Sequence, residues 1–196
     1  MNRRLFLSLS TAGIAALCTS PSLARNADAA SALVRRVSDE MVALIRSPVD
    51  EAAKRAAFVQ MMDRYADMRQ IAGYALGRYM RAMPADMKDR YIAAFKRFVA
   101  ATYVAQFSDY SGGTIDVGRA APTQRGYTVE TTVQTAGSAP FGVRWNITDR
   151  SGQPLVEDFV IEGISMAEAQ RSEFGSLIDS YGGDLNRFVQ YLESRG

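Results

Sequence analysis

Tyr91-Ile-Ala-Ala-Phe-Lys-Arg-Phe-Val-Ala-Ala-Thr-Tyr-Val-Ala-Gln-Phe-Ser-Asp-Tyr110 decides how the rest of this chain is read. At helical pitch Tyr91, Phe95 and Phe98 share one side, and Val99, Tyr103, Phe107 and Tyr110 continue it in four-residue steps. Lys96, Arg97, Gln106 and Asp109 supply the solvated remainder. The stretch is a helix with a wide aromatic arc. Such an arc either packs under a sheet as core or walls a cavity for an apolar guest, and the helix alone leaves both open.

The residues before it are helical in pattern from Asp28 onward. Ala32, Leu33, Val37, Met41, Leu44 and Ile45 repeat at helical spacing and stop at Ser47-Pro48. Asp50 caps a second segment containing Ala53, Ala57, Phe58, Met61, Met62 and Tyr65. Asp67 opens a third, with Met68, Ile71, Ala72, Ala75, Leu76, Tyr79 and Met83, which Pro84 ends.

After the aromatic helix and a Gly112-Gly113 loop the period becomes two. Ile115 and Val117 mark a short strand. Tyr127, Val129, Thr131 and Val133 alternate with polar neighbours, as do Phe141, Val143, Trp145 and Ile147. Asp149 to Gly152 reads as a hairpin turn and Leu155 to Glu162 as a fourth strand. Connections this short make the sheet antiparallel with one apolar face. Ser165, with Glu168 completing a capping box, starts a helix holding Ala169, Phe174, Leu177 and Ile178, and Gly182-Gly183 ends it. Asp184 starts a last helix with Leu185, Phe188, Val189 and Leu192. The expected fold class is therefore α+β: N-terminal helices, a four-stranded antiparallel meander and C-terminal helices closing over it.

The N-terminus has the marks of a secretory signal peptide: the basic pair Arg3-Arg4, a short apolar run from Leu9 to Cys18, and Ser22-Leu23-Ala24 as a small-x-small cleavage site. Arg3, Arg4, Phe6 and Leu7 fit a twin-arginine signal, and the general secretory route remains open beside it. Leu17 before Cys18 is too large for a lipoprotein cleavage site. The expected organisation is residues 1–24 as leader and 25–196 as one domain, exported to the periplasm. Removing 1–24 takes the formal charge from +2 to zero and removes the single cysteine. Residues 25–110 then carry 14 basic and 10 acidic side chains, and residues 111–196 carry 7 and 11. That asymmetry either orients the molecule toward an anionic surface or is scatter on a solvated one. No basic cluster marks a nucleic-acid partner.

The chain has no histidine, so the commonest general base and metal ligand are missing. Without histidine or a mature cysteine, serine–histidine and cysteine–histidine catalysis are excluded. Glu157 and Asp158, adjacent on a strand, are expected on opposite faces and not as a catalytic pair. Nine methionines are the more informative feature, because Met suits an apolar surface that re-forms around varied guests. No catalytic residue, metal ligand or cofactor is expected.

The sequence resembles the periplasmic phospholipid-binding proteins of the MlaC, or toluene-tolerance, family. The resemblance is carried by Asp67-Met68, Ile71-Ala72 and Leu76-Gly77-x-Tyr79, then Phe95, Phe98, Tyr103 and Tyr110. Its most specific part is Asp158-Phe-Val-Ile-Glu-Gly-Ile-Ser165, followed by Arg171, Glu173 and Phe174. The family usually has Trp four residues before that Asp; here Pro154 stands there, and the only Trp is Trp145 on the preceding strand. The hopanoid-associated branch of the family is the alternative this departure leaves open.

The resemblance implies a lipid cavity between sheet and helices. It implies a soluble carrier passing phospholipid, or a hopanoid, between an outer-membrane lipoprotein–porin complex and an inner-membrane ABC transporter assembly. A cargo-free adaptor docking those complexes is the competing reading. With the periodicities, the resemblance places Ile71, Ala75, Tyr79, Phe95, Val99, Tyr103, Tyr127, Val129, Val143, Trp145, Phe159 and Ile161 on the cavity wall.

Overall fold

The structure, a computed structural model, describes residues 21–107, 113–135, 139–149 and 152–196. Outside them lie residues 1–20 of the expected leader, Tyr110, Gly112, and Arg150 and Ser151 of the expected hairpin turn. Five helices come first: α1 (Pro21–Arg46), α2 (Glu51–Tyr65), α3 (Met68–Leu76), α4 (Tyr79–Ala82) and α5 (Ala85–Phe107). The strands β1 (Thr114–Thr123), β2 (Gly126–Gln134), β3 (Phe141–Thr148), β4 (Leu155–Ile161) and β5 (Ile164–Ser165) follow, and α6 (Met166–Ser180) and α7 (Leu185–Arg195) close the chain.

The capping residues act as their chemistry dictates. The carboxylates of Asp50, Asp67 and Asp184 accept from the backbone N–H three residues on, at 2.7, 3.1 and 3.0 Å. The third expected helix is broken in two. Gly77 takes φ +59°, which only glycine adopts without strain, and a Cβ there would press on the Arg171 side chain at 3.1 Å. The pattern continues to Met83, so the apolar spacing alone gave no sign of the break.

The sheet has strand order β1-β2-β3-β4-β5 with all pairings antiparallel. It is the expected meander with one strand more. The extra strand is the two-residue β5, folded back on β4 by Glu162 (φ +50°) and Gly163 (φ +85°), with Ile161 opposite Ile164. The β1–β2 turn closes with Thr123 opposite Gly126, whose missing Cβ would lie 2.1 Å from the Ile147 carbonyl oxygen. Gly126 is thus fixed by the close approach of β3.

Two apolar clusters result. One is helical, built on Tyr91, Phe95, Phe98, Phe174, Ile178, Phe188 and Leu192. The other lies between α1 and the sheet, with Val34 and Val37 of α1 against Tyr127, Val129, Ile147 and Val156. Met41, Leu44 and Ala66 pack against both. The tie between layers is backbone as well as side chain: Ala66 bridges to Val156, and the Asp67 N–H donates to the Val156 carbonyl at 3.0 Å.

Candidate functional site

Where the two layers meet, the packing is incomplete. An apolar cavity of about 90 Å³ lies between α2, α3, α5, β4 and the start of α6. Phe58 and Met62 come from α2, Met68, Ile71 and Ala75 from α3, and Phe95, Val99 and Tyr103 from α5. Val156 and Phe159 of β4 and Met166, Ala167 and Gln170 of α6 close it. Three methionines in one small lining provide walls without fixed shape.

Four polar residues, Tyr103, Glu157, Asp158 and Gln170, are part of this lining. The Tyr103 hydroxyl donates to the Met166 sulfur at 3.8 Å. Burial first, then the charges of Glu173 and Asp158, raise the Tyr103 pKa, so its phenol stays protonated and a donor. The Gln170 amide donates to Glu173 at 3.0 Å. Asp158 is held by the N-terminus of α6: Ser165 Oγ donates to it at 2.6 Å and the Ala167 N–H at 3.0 Å. Ser165 Oγ also accepts from the Glu168 N–H at 3.1 Å, as the capping pattern predicts, but the Glu168 carboxylate accepts from the Tyr74 hydroxyl at 3.5 Å.

Glu157 and Asp158 depart from simple alternation. The β3–β4 register shifts at Asn146 and Ile147, pairing Asn146 with Asp158 and Ile147 with Val156. Glu157 is the extra residue of a bulge, and both carboxylates border the cavity. Glu157 accepts a hydrogen bond from the Gln70 side-chain amide.

A second, larger cavity of about 640 Å³ opens beside the first. It is a groove between α3, the β1–β2 turn, the polar residues Thr128, Asn146 and Asp158 of the sheet, and the start of α6. Ile71, Glu157, Asp158 and Ala167 line both spaces, so the apolar cavity and the polar groove are neighbours.

Of the twelve residues named from sequence, Ile71, Ala75, Phe95, Val99, Tyr103 and Phe159 line the apolar cavity. Tyr127 borders the groove and is otherwise buried with Val129 under α1. Val143 is buried on β3, while Trp145 and Ile161 are half-buried on the same sheet face. The Trp145 ring lies 5.8 Å from Phe159, and its indole N–H donates to Thr131 Oγ1 at 3.0 Å. Tyr79 is on α4, away from either cavity, with its hydroxyl donating to Asp179. Among the lining residues that sequence reasoning did not name are Phe58, Met62, Met68, Val156 and Met166. The methionine content was the signal for three of them.

Among the described residues no group of three acidic or other metal-binding side chains is placed to hold a metal ion, and no helix is long and apolar enough to cross a membrane. The structure has the same fold as a phospholipid-binding protein from Ralstonia solanacearum, solved in complex with a phospholipid. The TM-score is 0.71 at 23% identity, over 85% of this chain and 96% of that one. The profile of the MlaC protein family matches residues 35–194, from the second half of α1 to the last turn of α7. By that match this chain belongs to the MlaC family.

Proposed function

We propose that residues 25–196 form a single periplasmic domain that carries phospholipid and performs no catalysis, with residues 1–24 removed on export. The observation that carries this reading is the apolar, methionine-lined cavity between the two layers. Membership of the MlaC family and the phospholipid held by the Ralstonia protein support the choice of ligand. Of the twelve residues named from sequence, all but Tyr79, which lies away from both cavities, are proposed as lipid-binding. Six of them already line the cavity, and the sheet-face residues come into play as it widens.

The physical case is direct. Each buried CH₂ is worth about 0.8 kcal/mol, so an acyl chain crosses water only inside an apolar enclosure. A cavity of about 90 Å³ is small against the bulk of two acyl chains. Tails therefore enter by displacing Met62, Met68 and Met166, whose unbranched side chains re-form around what arrives. Loading then exchanges one apolar phase for another and needs no covalent step. In the proposal the lipid passes, in either direction, between an outer-membrane lipoprotein–porin complex and an inner-membrane ABC transporter assembly.

The test is to purify the protein from periplasm, extract it with organic solvent and analyse the extract by mass spectrometry. Phospholipid near one molecule per chain is expected. A hopanoid in its place would assign the protein to the alternative ligand class. An extract without lipid would favour the cargo-free adaptor.

A further inference from the structure

The three methionines of the cavity lining differ in exposure. Met62 and Met68 are buried, at 8% and 7%. Met166 is half-buried. It is the first residue of α6, two positions after Ile164, which is 60% exposed. The backbone on either side of it is pinned, because the Ser165 hydroxyl and the Ala167 N–H both donate to Asp158, at 2.6 and 3.0 Å. Movement at this point of the wall therefore falls to the Met166 side chain. Met41, Met80 and Met87 are also half-buried, but none of them lines the cavity.

A second property singles Met166 out. The Tyr103 hydroxyl donates to its sulfur at 3.8 Å. A thioether sulfur is a weak acceptor, so this contact is readily given up when a tail arrives. An oxygen on the sulfur changes that balance, since a sulfoxide oxygen is a polar acceptor and the donor is already in place. Burial keeps the Tyr103 phenol protonated and hence a donor.

We propose that Met166 is a site of reversible oxidation by peroxides, and that its sulfoxide closes the cavity to acyl chains. A sulfur lone pair attacks one oxygen of hydrogen peroxide, and the O–O bond breaks as the S–O bond forms. The leaving hydroxide takes the proton of the transferred oxygen, so the products are the sulfoxide and water. The thioether is oxidised and the peroxide reduced. The new oxygen sits on a side chain that moves aside for a tail. Entry then breaks its bond to Tyr103 and sets a polar oxygen against hydrocarbon, a cost the thioether does not carry. Met62 and Met68 are shielded from the oxidant by the fold around them. The oxidation site stands on exposure and contact; its effect on loading rests on the carrier reading.

The experiment treats the delipidated mature protein with hydrogen peroxide and follows two quantities in time. Peptide mass mapping gives the oxygen gained at each methionine. Uptake of phospholipid from vesicles of phosphatidylethanolamine and phosphatidylglycerol is measured on the same samples. Met166 is expected to gain oxygen well before Met62 and Met68, and lipid uptake to fall several-fold in step with the Met166 sulfoxide. Methionine sulfoxide reductases for both epimers should restore uptake. Met166→Leu, compared with its own untreated sample, should lose no uptake on treatment, and Tyr103→Phe should lose less than the wild type. Thermal melts check that each variant is folded, and the wild-type time course needs no variant.

Oxidation of Met62 or Met68 as fast as Met166 overturns the proposal while leaving the carrier reading intact. So does full uptake with Met166 oxidised, or an equal peroxide-induced loss in Met166→Leu. Untreated protein that takes up no phospholipid removes the carrier reading and the effect on loading together, and the order of oxidation still decides the site.

Discussion

The two halves of α5 bury aromatic side chains of similar size in very different surroundings. Toward its N-terminus, Tyr91 is fully enclosed, and Phe95, at the inner edge of the cavity lining, is buried. The Phe95 ring meets Phe174 edge-on at 5.9 Å, and Phe174 meets Phe188 at 4.9 Å. Tyr91 packs 6.2 Å from the same Phe188. Toward the C-terminus, Val99 and Tyr103 are half-buried and face the cavity, opposite methionines and β4. One helix thus joins a solid core to a hollow one. Rings that interlock at fixed angles hold a shape, and the methionines opposite do not.

The comparison predicts a large difference in mutational cost. Phe188→Ala empties a site with no solvent exposure, ringed by aromatics, and is expected to destabilise the fold by about 3–5 kcal/mol in urea unfolding. Val99→Phe adds atoms where space already exists and is expected to change stability by less than about 1 kcal/mol, below the usual cost of overpacking. The same change should sharply reduce lipid recovered on extraction. If Val99→Phe proved as destabilising as Phe188→Ala, the two halves of α5 would be equally solid.

A smaller effect is expected at Tyr91. Its hydroxyl is buried and donates to the Ala72 carbonyl at 2.8 Å, tying α5 to α3. Tyr91→Phe should cost about 1 kcal/mol at neutral pH. Burial raises the Tyr91 pKa far above its ordinary value of 10.0. A raised folded pKa means that the stabilisation is complete below about pH 10 and declines above it, as the unfolded chain alone loses the proton. Wild-type stability should therefore fall more steeply than that of Tyr91→Phe above about pH 10. Parallel curves in alkaline urea titrations would show that water reaches this hydroxyl.

Much of this division was legible in the sequence. Capping aspartates, strand alternation and the aromatic arc follow from local rules that the structure obeys. Two features were not. The break at Gly77 depends on a positive φ in a segment whose apolar spacing continues through it. The position of the cavity depends on what covers the sheet. Alternation puts Tyr127, Val129 and Trp145 on one face, but not that α1 lies over the first two and leaves the hollow to α2, α3 and α6. Burial against one layer or another is a long-range fact, and a period of two records only the face. The β4 bulge is similar, since Glu157 is displaced by the pairing of its neighbours and not by its own side chain.

The smallest expected effect is at Trp145, the one tryptophan, which reports on the seam between the layers. Its ring is half-buried on the inner sheet face, with Phe159 at 5.8 Å between it and the cavity that Phe159 lines. Its indole N–H is fixed to Thr131 Oγ1, so the ring does not swing freely toward the guest. Loading with phospholipid brominated along an acyl chain should dim Trp145 fluorescence only in part, because contact quenching falls away over the width of one side chain. Phe159→Ala removes the intervening ring and should deepen the quenching, while the unbrominated lipid changes neither protein. A headgroup-labelled quencher should act more weakly than the tail bromine, since a charged end stays near water. Full quenching in the wild type would show that tails push past Phe159 to the sheet itself. Undimmed fluorescence in the Phe159→Ala variant, with brominated lipid bound one to one, would confine the tails to the helical side.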